Sequence, residues 1–407
     1  MQDNNSGFSR CSVLKTAGAA GLGAALTPFG TTPPAATASG PAADITAVPT
    51  RPFGKSGVDV PILSLGGMFD IPSNQTLLKQ AIQWGVTYWD TAHVYSGGRS
   101  EAGIGAFFER YPEQRGKIFL VTKSTARSGS AMTRDLETSL KRMNTDVIDL
   151  FFVHSVKDPD TMDNAMRDWA ANQKAEGRIR LFGFSTHSNM EACLQGAARL
   201  DWIDGIMTTY NFRLMHEPNM KAAVDACVAA GIGITAMKTQ GGGAVGTAGS
   251  QDLDLAGRFV NKGFTDKQAK LKAVWENPQI SAICSQMPTL SILMANIAAA
   301  VDRTALSDAD RQHLAHYARD TYAHYCAGCT QLCERAVAGR VPVGDVMRYL
   351  MYARSYGDMD DARRRFAAIP EATRDRLTRV DYRAAEASCP RQLPIAHLMA
   401  QAAHELA

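Results

Sequence analysis

The feature that most constrains the fold is a regular alternation of short apolar runs and amphipathic segments between residues 60 and 300. The runs are rich in β-branched and aromatic residues and have the length of strands buried on both faces. They lie at 62–66, 86–89, 118–122, 148–153, 179–184, 205–209, 232–237 and 280–284. Eight strand-then-helix units in about 240 residues predict an α/β fold of the (β/α)8 barrel type. A doubly wound open sheet is the alternative, but no G-x-G-x-x-G follows any of the strands.

The composition excludes several classes of protein. Hydrophobic residues make up 45% and charged residues 20% of the chain, as in ordinary globular proteins. Lys+Arg number 43 against 40 Asp+Glu, so the formal net charge of +3 creates no field that would attract nucleic acid. The longest apolar stretch, residues 17–26, is shorter than the roughly 20 residues that span a bilayer. We therefore expect no nucleic-acid partner and no transmembrane helix.

The first fifty residues differ from the rest. A polar start, a short Ala/Gly core and the A-x-A sequence at Ala36–Ala38 are typical of an export signal. The stretch Ser9–Lys15 resembles a twin-arginine signal in which Cys11 replaces the second arginine. We therefore predict an export signal and linker over 1–50 and a periplasmic protein. A disordered extension on a cytoplasmic protein is the alternative.

Two further segments complete the predicted organisation. The barrel should occupy residues 51–302. Residues 303–407 contain no lysine, which marks a change in composition at the end of the barrel. We predict that 303–407 form a small, mainly helical domain that carries cysteines.

Polar side chains follow the predicted strands at their carboxyl ends, which is where barrel enzymes carry their chemistry. Asp90 follows the second strand, Lys123 the third and His154 the fourth. The later strands are followed by Ser185, Tyr210, Asn211, Lys238, Ser285 and Gln286. These residues are far apart in sequence, but the barrel would bring them to one rim.

Three of these residues, together with Tyr95 in the loop after the second strand, suit acid–base chemistry at a carbonyl group. Hydride delivery to a carbonyl carbon leaves negative charge on the oxygen, which then needs a proton. A phenol has a pKa of about 10, and a lysine ammonium beside it would lower that pKa. We interpret Tyr95 as the acid/base, Lys123 as its tuning cation, Asp90 as the anchor of the lysine, and His154 as the group that orients the substrate oxygen.

The stretch Tyr88–Tyr95, which reads YWDTAHVY and is followed by Ser100-Glu101, resembles the signature of the aldo-keto reductase family. Lys123 and His154 stand where that family has its lysine and histidine. The resemblance covers residues 51–300. It implies a (β/α)8 barrel that reduces aldehydes and ketones, or runs in reverse, with a nicotinamide cofactor and no catalytic metal.

The same resemblance implies a cofactor groove. It places Ser185 near the nicotinamide carboxamide, Tyr210 against the nicotinamide ring with Asn211 beside it, and Asn296 near the adenine end. Lys238 is additional to the family pattern; it would reach the pyrophosphate or else be a solvated loop charge. Gln286 and Ile292 stand where many members carry cations for a 2′-phosphate. We therefore expect NAD(H) to bind at least as strongly as NADP(H).

The C-terminal segment carries four cysteines in a C-x2-C-x3-C…C-P pattern, namely Cys326, Cys329, Cys333 and Cys389. Four thiolates are the ligands that an iron–sulfur cluster requires. The pattern resembles the ferredoxin-like tail of one branch of the same family, although its spacing departs from that tail. We predict one [4Fe–4S] cluster, which would imply an electron-transfer partner; a structural zinc site and no metal are the alternatives.

A different class of function also fits these features. The chain could be a non-catalytic barrel that acts as a redox-responsive binding or assembly protein through its cysteines. Measurable carbonyl reduction would distinguish the enzyme from this alternative.

Overall fold

The computed structural model describes residues 47–245, 254–256, 258–259 and 263–407, so the predicted export signal lies outside the described residues. The strands are β1 (Thr50–Pro52), β2 (Asp59–Pro61), β3 (Leu63–Gly66), β4 (Tyr88–Asp90), β5 (Phe119–Ser124), β6 (Ile148–Val153), β7 (Ile179–Thr186), β8 (Gly205–Thr209), β9 (Gly233–Met237) and β10 (Ala282–Gln286). Strands β3 to β10 close into a parallel barrel in chain order, with β10 beside β3. The predicted (β/α)8 barrel is therefore confirmed.

Helices alternate with the barrel strands and then continue beyond the last one. They are α1 (Gln75–Gln83), α2 (Arg99–Arg110), α3 (Gly129–Arg142), α4 (Asn164–Ala175), α5 (Met190–Ala197), α6 (Pro218–Ala229), α7 (Asp266–Trp275), α8 (Leu290–Val301), α9 (Asp308–Asp320), α10 (Thr330–Ala336), α11 (Val343–Ser355), α12 (Met359–Ala367), α13 (Glu371–Arg374), α14 (Arg383–Ala387) and α15 (Ile395–Glu405). Within the described parts of the chain, no helix has both the length and the apolar character needed to cross a membrane.

The amino end of the barrel is closed by the antiparallel hairpin β1–β2, which the sequence did not predict. Phe53 in this hairpin is fully buried and lies against the first residues of β8 and β9. Those residues are Gly205 and Gly233, and a Cβ on either would come within 2.6 Å of the Phe53 ring. The absence of a side chain there lets the ring fill the barrel floor.

The tail has a second hydrophobic core, which includes Val346, Leu350, Phe366 and Leu398. The tail and the barrel nevertheless belong to one compact unit, Ile45–Ala407. The tail therefore packs directly on the barrel.

One stripe of α11 makes several of the polar contacts between the tail and the rim of the barrel. Asp345, Arg348, Tyr352 and Ser355 are three or four residues apart, so they share one face of the helix. Their partners lie in the loops that follow β6, β7 and β9. The contacts are Lys157 Nζ to Asp345 Oδ2 at 2.8 Å, Arg348 to His187 Nδ1 at 2.6 Å, Lys238 Nζ to the Tyr352 hydroxyl at 2.9 Å, and Ser355 Oγ to the Gly243 carbonyl at 2.7 Å. This stripe places α11 over the carboxyl end of the barrel.

Candidate active site

The centre of the candidate site is a buried ion pair between the ends of β4 and β5. The Lys123 ammonium lies 2.6 Å from the Asp90 carboxylate and donates a second hydrogen bond of 2.6 Å to the Thr91 carbonyl. Both side chains are almost fully buried. Burial alone would lower the pKa of Lys123, but Asp90, Tyr95 and Cys284 together outweigh burial, and the pKa of Lys123 is raised. Burial also raises the pKa of Asp90, against the opposing effect of Lys123. Each charge therefore depends on the other.

Tyr95 reaches this pair from a tight turn after β4. Ser96, Gly97 and Gly98 follow it with φ values of 51°, 66° and 91°, which turn the chain sharply back on itself. The Lys123 ammonium lies 5.0 Å from the centre of the Tyr95 ring. Burial raises the pKa of Tyr95 to about 12, and Lys123 opposes that rise. The sequence predicted a lowered phenol pKa; the lysine acts in the predicted direction, but the loss of hydration has the larger effect.

His154 completes the group at the end of β6. Its ring lies 5.8 Å from the Tyr95 ring, edge to face at 75°. Its Nδ1 is buried and has no hydrogen-bond partner among the described residues. Burial and the charge of Lys123 hold the pKa of His154 well below its usual value, so the imidazole is neutral at neutral pH. A neutral imidazole with a free ring nitrogen can bind a substrate oxygen.

The Ser100-Glu101 pair has a supporting role. Ser100 Oγ donates to the Gly67 carbonyl at 2.7 Å and lies 2.6 Å from Thr91 Oγ1. The buried Glu101 carboxylate accepts hydrogen bonds from Thr122 Oγ1 at 2.7 Å and from Arg142 at 3.1 Å. These bonds fix α2 against the strand ends, and α2 directly follows the turn that carries Tyr95.

Three of the predicted cofactor residues lie on the rim of the barrel. Ser185 Oγ accepts a hydrogen bond of 3.0 Å from the Ser155 amide. Asn296 donates to Ser285 Oγ at 2.9 Å, and Gln286 donates to the Met68 carbonyl at 2.6 Å. Ser185, Gln286 and Asn296 thus lie at the carboxyl ends of β7 and β10 or beside them, on the same end of the barrel as Tyr95.

Tyr210 and Asn211 are used differently from the prediction. Side chains alternate along β8, and Met207 belongs to the interior of the barrel, so Tyr210 points outward into the layer between strands and helices. Its hydroxyl accepts a hydrogen bond of 2.9 Å from Asn277. Tyr210 is therefore on the wrong face of the strand for the predicted stacking, and Thr209 faces the mouth of the barrel instead.

Asn211 joins the rim to the tail. Its side-chain amide donates to the Lys238 carbonyl at 3.2 Å and to the Tyr325 hydroxyl at 3.1 Å, while its oxygen accepts from the Arg213 amide at 3.0 Å. These bonds occupy the polar atoms of its side chain. In this structure Asn211 is a connecting residue, and a cofactor contact would have to replace one of these bonds.

Lys238 is not the solvated loop charge that was the alternative prediction. Its ammonium donates to the Tyr352 hydroxyl at 2.9 Å and lies 4.5 Å from the centre of the same ring. Its φ of 56° is in the left-handed region, which is strained for a residue with a side chain. Together with Thr209, His187 and Arg348 it lines a cavity of about 430 Å³ between the rim and the tail, which we call the mouth cavity.

The tail brings residues to the site that were not predicted from the sequence. Arg348, Tyr352 and Arg365 are close enough to Tyr95 or His154 to affect their pKa values. The regular spacing of polar residues along 345–355 was a usable signal, because it marks a polar face on a helix that otherwise has an apolar one. Cys284 was also missed as a neighbour of the ion pair; its Sγ lies 3.7 Å from Asp90 Oδ2.

The four predicted ligand thiols are gathered around a second cavity. Cys326, Cys329, Cys333 and Cys389 line a space of about 380 Å³, which we call the thiol cavity. The two cavities share the lining residues Cys326, Ala327, Gly328, Gly344 and Met347. Among the described residues, no three His, Cys, Asp or Glu side chains are grouped closely enough to hold one metal ion. The structure thus brings the four thiols to one place without showing a metal site.

Comparison with known proteins supports the same reading of the barrel. The family model described as "Aldo/keto reductase family" matches residues 63–299. An aldo-keto reductase of Gibberella moniliformis is 27% identical over 180 residues, covering 42% of this chain and 53% of that protein. The aldo-keto reductase yakc [NADP(+)] of Schizosaccharomyces pombe is 30% identical over 158 residues, covering 34% of this chain and 45% of that protein. The chain thus spans about half the length of these curated relatives.

A solved structure shows the same fold. The holo form of an aldo-keto reductase from Bacillus halodurans superposes with a TM-score of 0.55 at 20% identity, covering 66% of this chain and 96% of that one. The family match covers more than half of the sequence, and the matched range contains Asp90, Tyr95, Lys123 and His154. The chain is a member of the aldo/keto reductase family.

Proposed function

We propose that the protein is a nicotinamide-dependent oxidoreductase that interconverts carbonyl compounds and alcohols, with Tyr95 as the acid/base. The observation that carries the proposal is the meeting of a buried Lys123–Asp90 pair with Tyr95 and a neutral His154 at the carboxyl end of the barrel. A substrate oxygen between the phenol and the imidazole could receive a proton from one and a hydrogen bond from the other.

In the direction of reduction, each of the four residues has a separate chemical role. A bound nicotinamide would supply the hydride that reaches the carbonyl carbon. The Tyr95 hydroxyl gives its proton to the carbonyl oxygen as negative charge develops there, and His154 orients that oxygen. Lys123 stabilises the phenolate that remains, and Asp90 holds Lys123 in place. In the direction of oxidation the Tyr95 phenolate removes the alcohol proton.

The residues at the rim fit a nicotinamide cofactor. Ser185 lies at the end of β7, beside β6, the strand that His154 directly follows. Asn296 lies beside the end of β10 on the same side of the barrel, where the family resemblance places the adenine end of the cofactor.

We propose that NAD(H) binds at least as well as NADP(H). Ile292 is exposed but apolar, and Gln286 is uncharged and already donates to the Met68 carbonyl. Neither side chain therefore offers a cation to a 2′-phosphate. The Lys272 ammonium is also engaged within the protein, because it donates to the Asp302 carbonyl at 2.8 Å. The relative from Schizosaccharomyces pombe is named for NADP(+), so the two proteins would differ in this respect.

Titration of both reduced cofactors at one ionic strength tests this preference. We expect Ile292→Arg to strengthen NADPH binding selectively, because it restores a cation at the predicted 2′-phosphate position. Met294→Arg is the matched control, since it is exposed on the same helix but two residues away, and i,i+2 residues do not share a face. A wild-type preference for NADPH of more than about tenfold, or roughly 1.4 kcal/mol, would contradict the proposal.

We propose further that Cys326, Cys329, Cys333 and Cys389 hold one [4Fe–4S] cluster. Four thiols around one cavity fit this group, because a cluster needs room between its ligands. A single zinc ion would need its sulfurs drawn in to about 2.3 Å from the metal.

A [4Fe–4S] cluster at the thiol cavity would exchange single electrons. The lining residues that the thiol cavity shares with the mouth cavity support coupling to the barrel site and, through it, to an electron-transfer partner.

We expect Cys326→Ser to lose bound iron and the broad visible absorption of the anaerobically purified protein, because it removes one of the thiolate ligands. Metal analysis and an absorption spectrum measure both. Cys227→Ala is the control, since Cys227 is buried between barrel helices and far from the tail core. Stoichiometric zinc without iron in the wild-type protein would refute the cluster.

We also propose that the protein is exported and that residues 1–38 are removed. The support is the Ala/Gly core followed by Ala36–Ala38 in the sequence. Mass spectrometry of the native protein should find a start near Ser39 in the periplasmic fraction. Intact residues 1–20 on protein from the cytoplasmic fraction would contradict export.

A further inference from the structure

The mouth cavity is lined by positive charge. Lys238 enters it from the rim and Arg348 from α11 of the tail. Thr209 and His187 also line it. Among the described lining residues none is acidic, so the cavity combines two cations with no anion in its wall.

Lys238 has no carboxylate partner among the described residues. Its ammonium donates a hydrogen bond to the hydroxyl group of Tyr352, and a phenol in its protonated form carries no charge. Its backbone is held in the left-handed region, with φ of 56°. An enclosed ammonium without a counterion is unfavourable, and strained backbone at such a point is typical of functional sites. Lys238 is therefore held at the mouth of the barrel despite two unfavourable features, the missing counterion and the strained backbone.

The neighbouring charges do not neutralise the wall. Arg348 is paired with Asp345, but Asp345 also pairs with Lys157 at 2.8 Å, so two cations share one carboxylate. Arg365 is paired with Asp361 at 2.5 Å, and that carboxylate is likewise shared with Arg364. The groups that face the cavity from the barrel and from the tail therefore sum to a positive charge.

The hydrogen-bonding groups of the wall also suit an anion. The Thr209 hydroxyl is buried and unpaired among the described residues, so it can donate to a ligand oxygen. His187 Nδ1 accepts from Arg348 at 2.6 Å, which holds the guanidinium at the cavity edge. Ammonium, guanidinium and hydroxyl donors around one space form the donor set that binds a carboxylate.

The mouth cavity is connected to the reacting groups. His187 lines the cavity, and its Nε2 lies 3.4 Å from the hydroxyl of Ser155, the residue that directly follows His154. The cavity wall is therefore adjacent to the end of β6, where His154 lies. A small molecule with its carbonyl group at Tyr95 and His154 would extend into this positively charged space.

We infer that the mouth cavity is a subsite for a carboxylate, so that the natural substrates are carbonyl compounds or alcohols that carry an acidic group. This inference rests on the proposed function and specifies its substrate class. The same donors could instead face the pyrophosphate of the cofactor. The experiment below separates the two sources of negative charge.

Binding is measured by calorimetry on the purified full-length protein with its bound groups retained and with oxidised cofactor present, which cannot reduce an aldehyde. The probes are glyoxylate, succinic semialdehyde and 4-carboxybenzaldehyde, each paired with its methyl ester. We expect at least one acid to bind tenfold or more tightly than its ester, the effect of a charge-assisted hydrogen bond. We expect Lys238→Met to abolish that preference and Lys238→Arg to retain most of it.

The acid-to-ester ratio cancels any loss that both probes share. Arg340→Gln is the control, because it removes one exposed cation from the tail and should leave the ratio unchanged. Equal affinity of every acid and its ester in the wild-type protein would refute the inference, even if Lys238→Met failed to fold. An unchanged ratio in a folded Lys238→Met, with NADH binding weakened tenfold or more, would assign the cavity to the pyrophosphate and refute it as well.

Reduction of the same aldehydes by NADH and NADPH is assayed separately. A protein that binds the acids selectively but reduces neither acid nor ester would refute the proposed function while leaving the anion site in place. A protein that reduces acids and esters equally well, with equal affinity, would refute only the inference.

Discussion

Replacing Tyr95 with phenylalanine is expected to lower kcat about 10²–10⁴-fold, the contribution of a positioned general acid. The change removes only the hydroxyl, so the ring should keep its edge-to-face contact with His154. Cofactor affinity should therefore remain within a few-fold of the wild type. Steady-state kinetics with an aldehyde, together with a cofactor titration, measure both quantities.

The matched control is Tyr111→Phe, which removes a hydroxyl from a partly buried ring at the end of α2, packed against Phe107. It should leave kcat unchanged. A Tyr95→Phe variant with near-normal turnover would remove Tyr95 from the proposed role. Because the pKa of Tyr95 is raised to about 12, the phenol stays protonated through neutral pH, and the reductive rate should depend on Tyr95 ionisation only at strongly alkaline pH.

Replacing Lys123 with methionine should cost about 3–5 kcal/mol of unfolding free energy as well as activity, because Asp90 would remain buried without its counterion. Any remaining activity should show its alkaline limb at higher pH than the wild type, since Lys123 opposes the rise in the pKa of Tyr95. Urea unfolding and a pH–rate profile measure the two effects.

Two further variants sharpen this test. Lys221→Met makes the same substitution at an exposed position and should leave both quantities unchanged. Asp90→Asn combined with Lys123→Met should be more stable than the sum of the single changes predicts, because it removes both members of a coupled pair. A single Lys123→Met variant as stable as the wild type would show that the pair is not the buried unit described above.

Much of the fold could be predicted from the sequence because its signals are local. A strand buried on both faces needs a continuous apolar run, and a surface helix needs an amphipathic one. Counting those runs was enough to predict the barrel. Asp90, Lys123 and His154 could be located for the same reason, since each lies at or just after the carboxyl end of a strand and these ends meet at one rim.

The direction of individual side chains was harder to predict. Tyr210 follows β8 in sequence, but the register of that strand turns its ring outward toward Asn277. A shift of one residue exchanges the two faces of a strand, so sequence adjacency to a strand end does not decide which side chain faces the mouth. The pKa of Tyr95 is a similar case. The neighbouring lysine was evident in the sequence motif, but the degree of burial that outweighs it depends on how the tail and barrel pack.

The sequence by itself determined the barrel, the four residues of the candidate catalytic group and the presence of four cysteines in the tail, because each can be identified from local patterns along the chain. Only the tertiary structure decided that α11 lies over the barrel mouth and brings Arg348 and Tyr352 to Lys238. The polar stripe on α11 was present in the sequence, but which surface it meets depends on contacts between residues more than a hundred positions apart. Such contacts are fixed by shape and charge complementarity of the folded surfaces, and no local pattern in the chain records them.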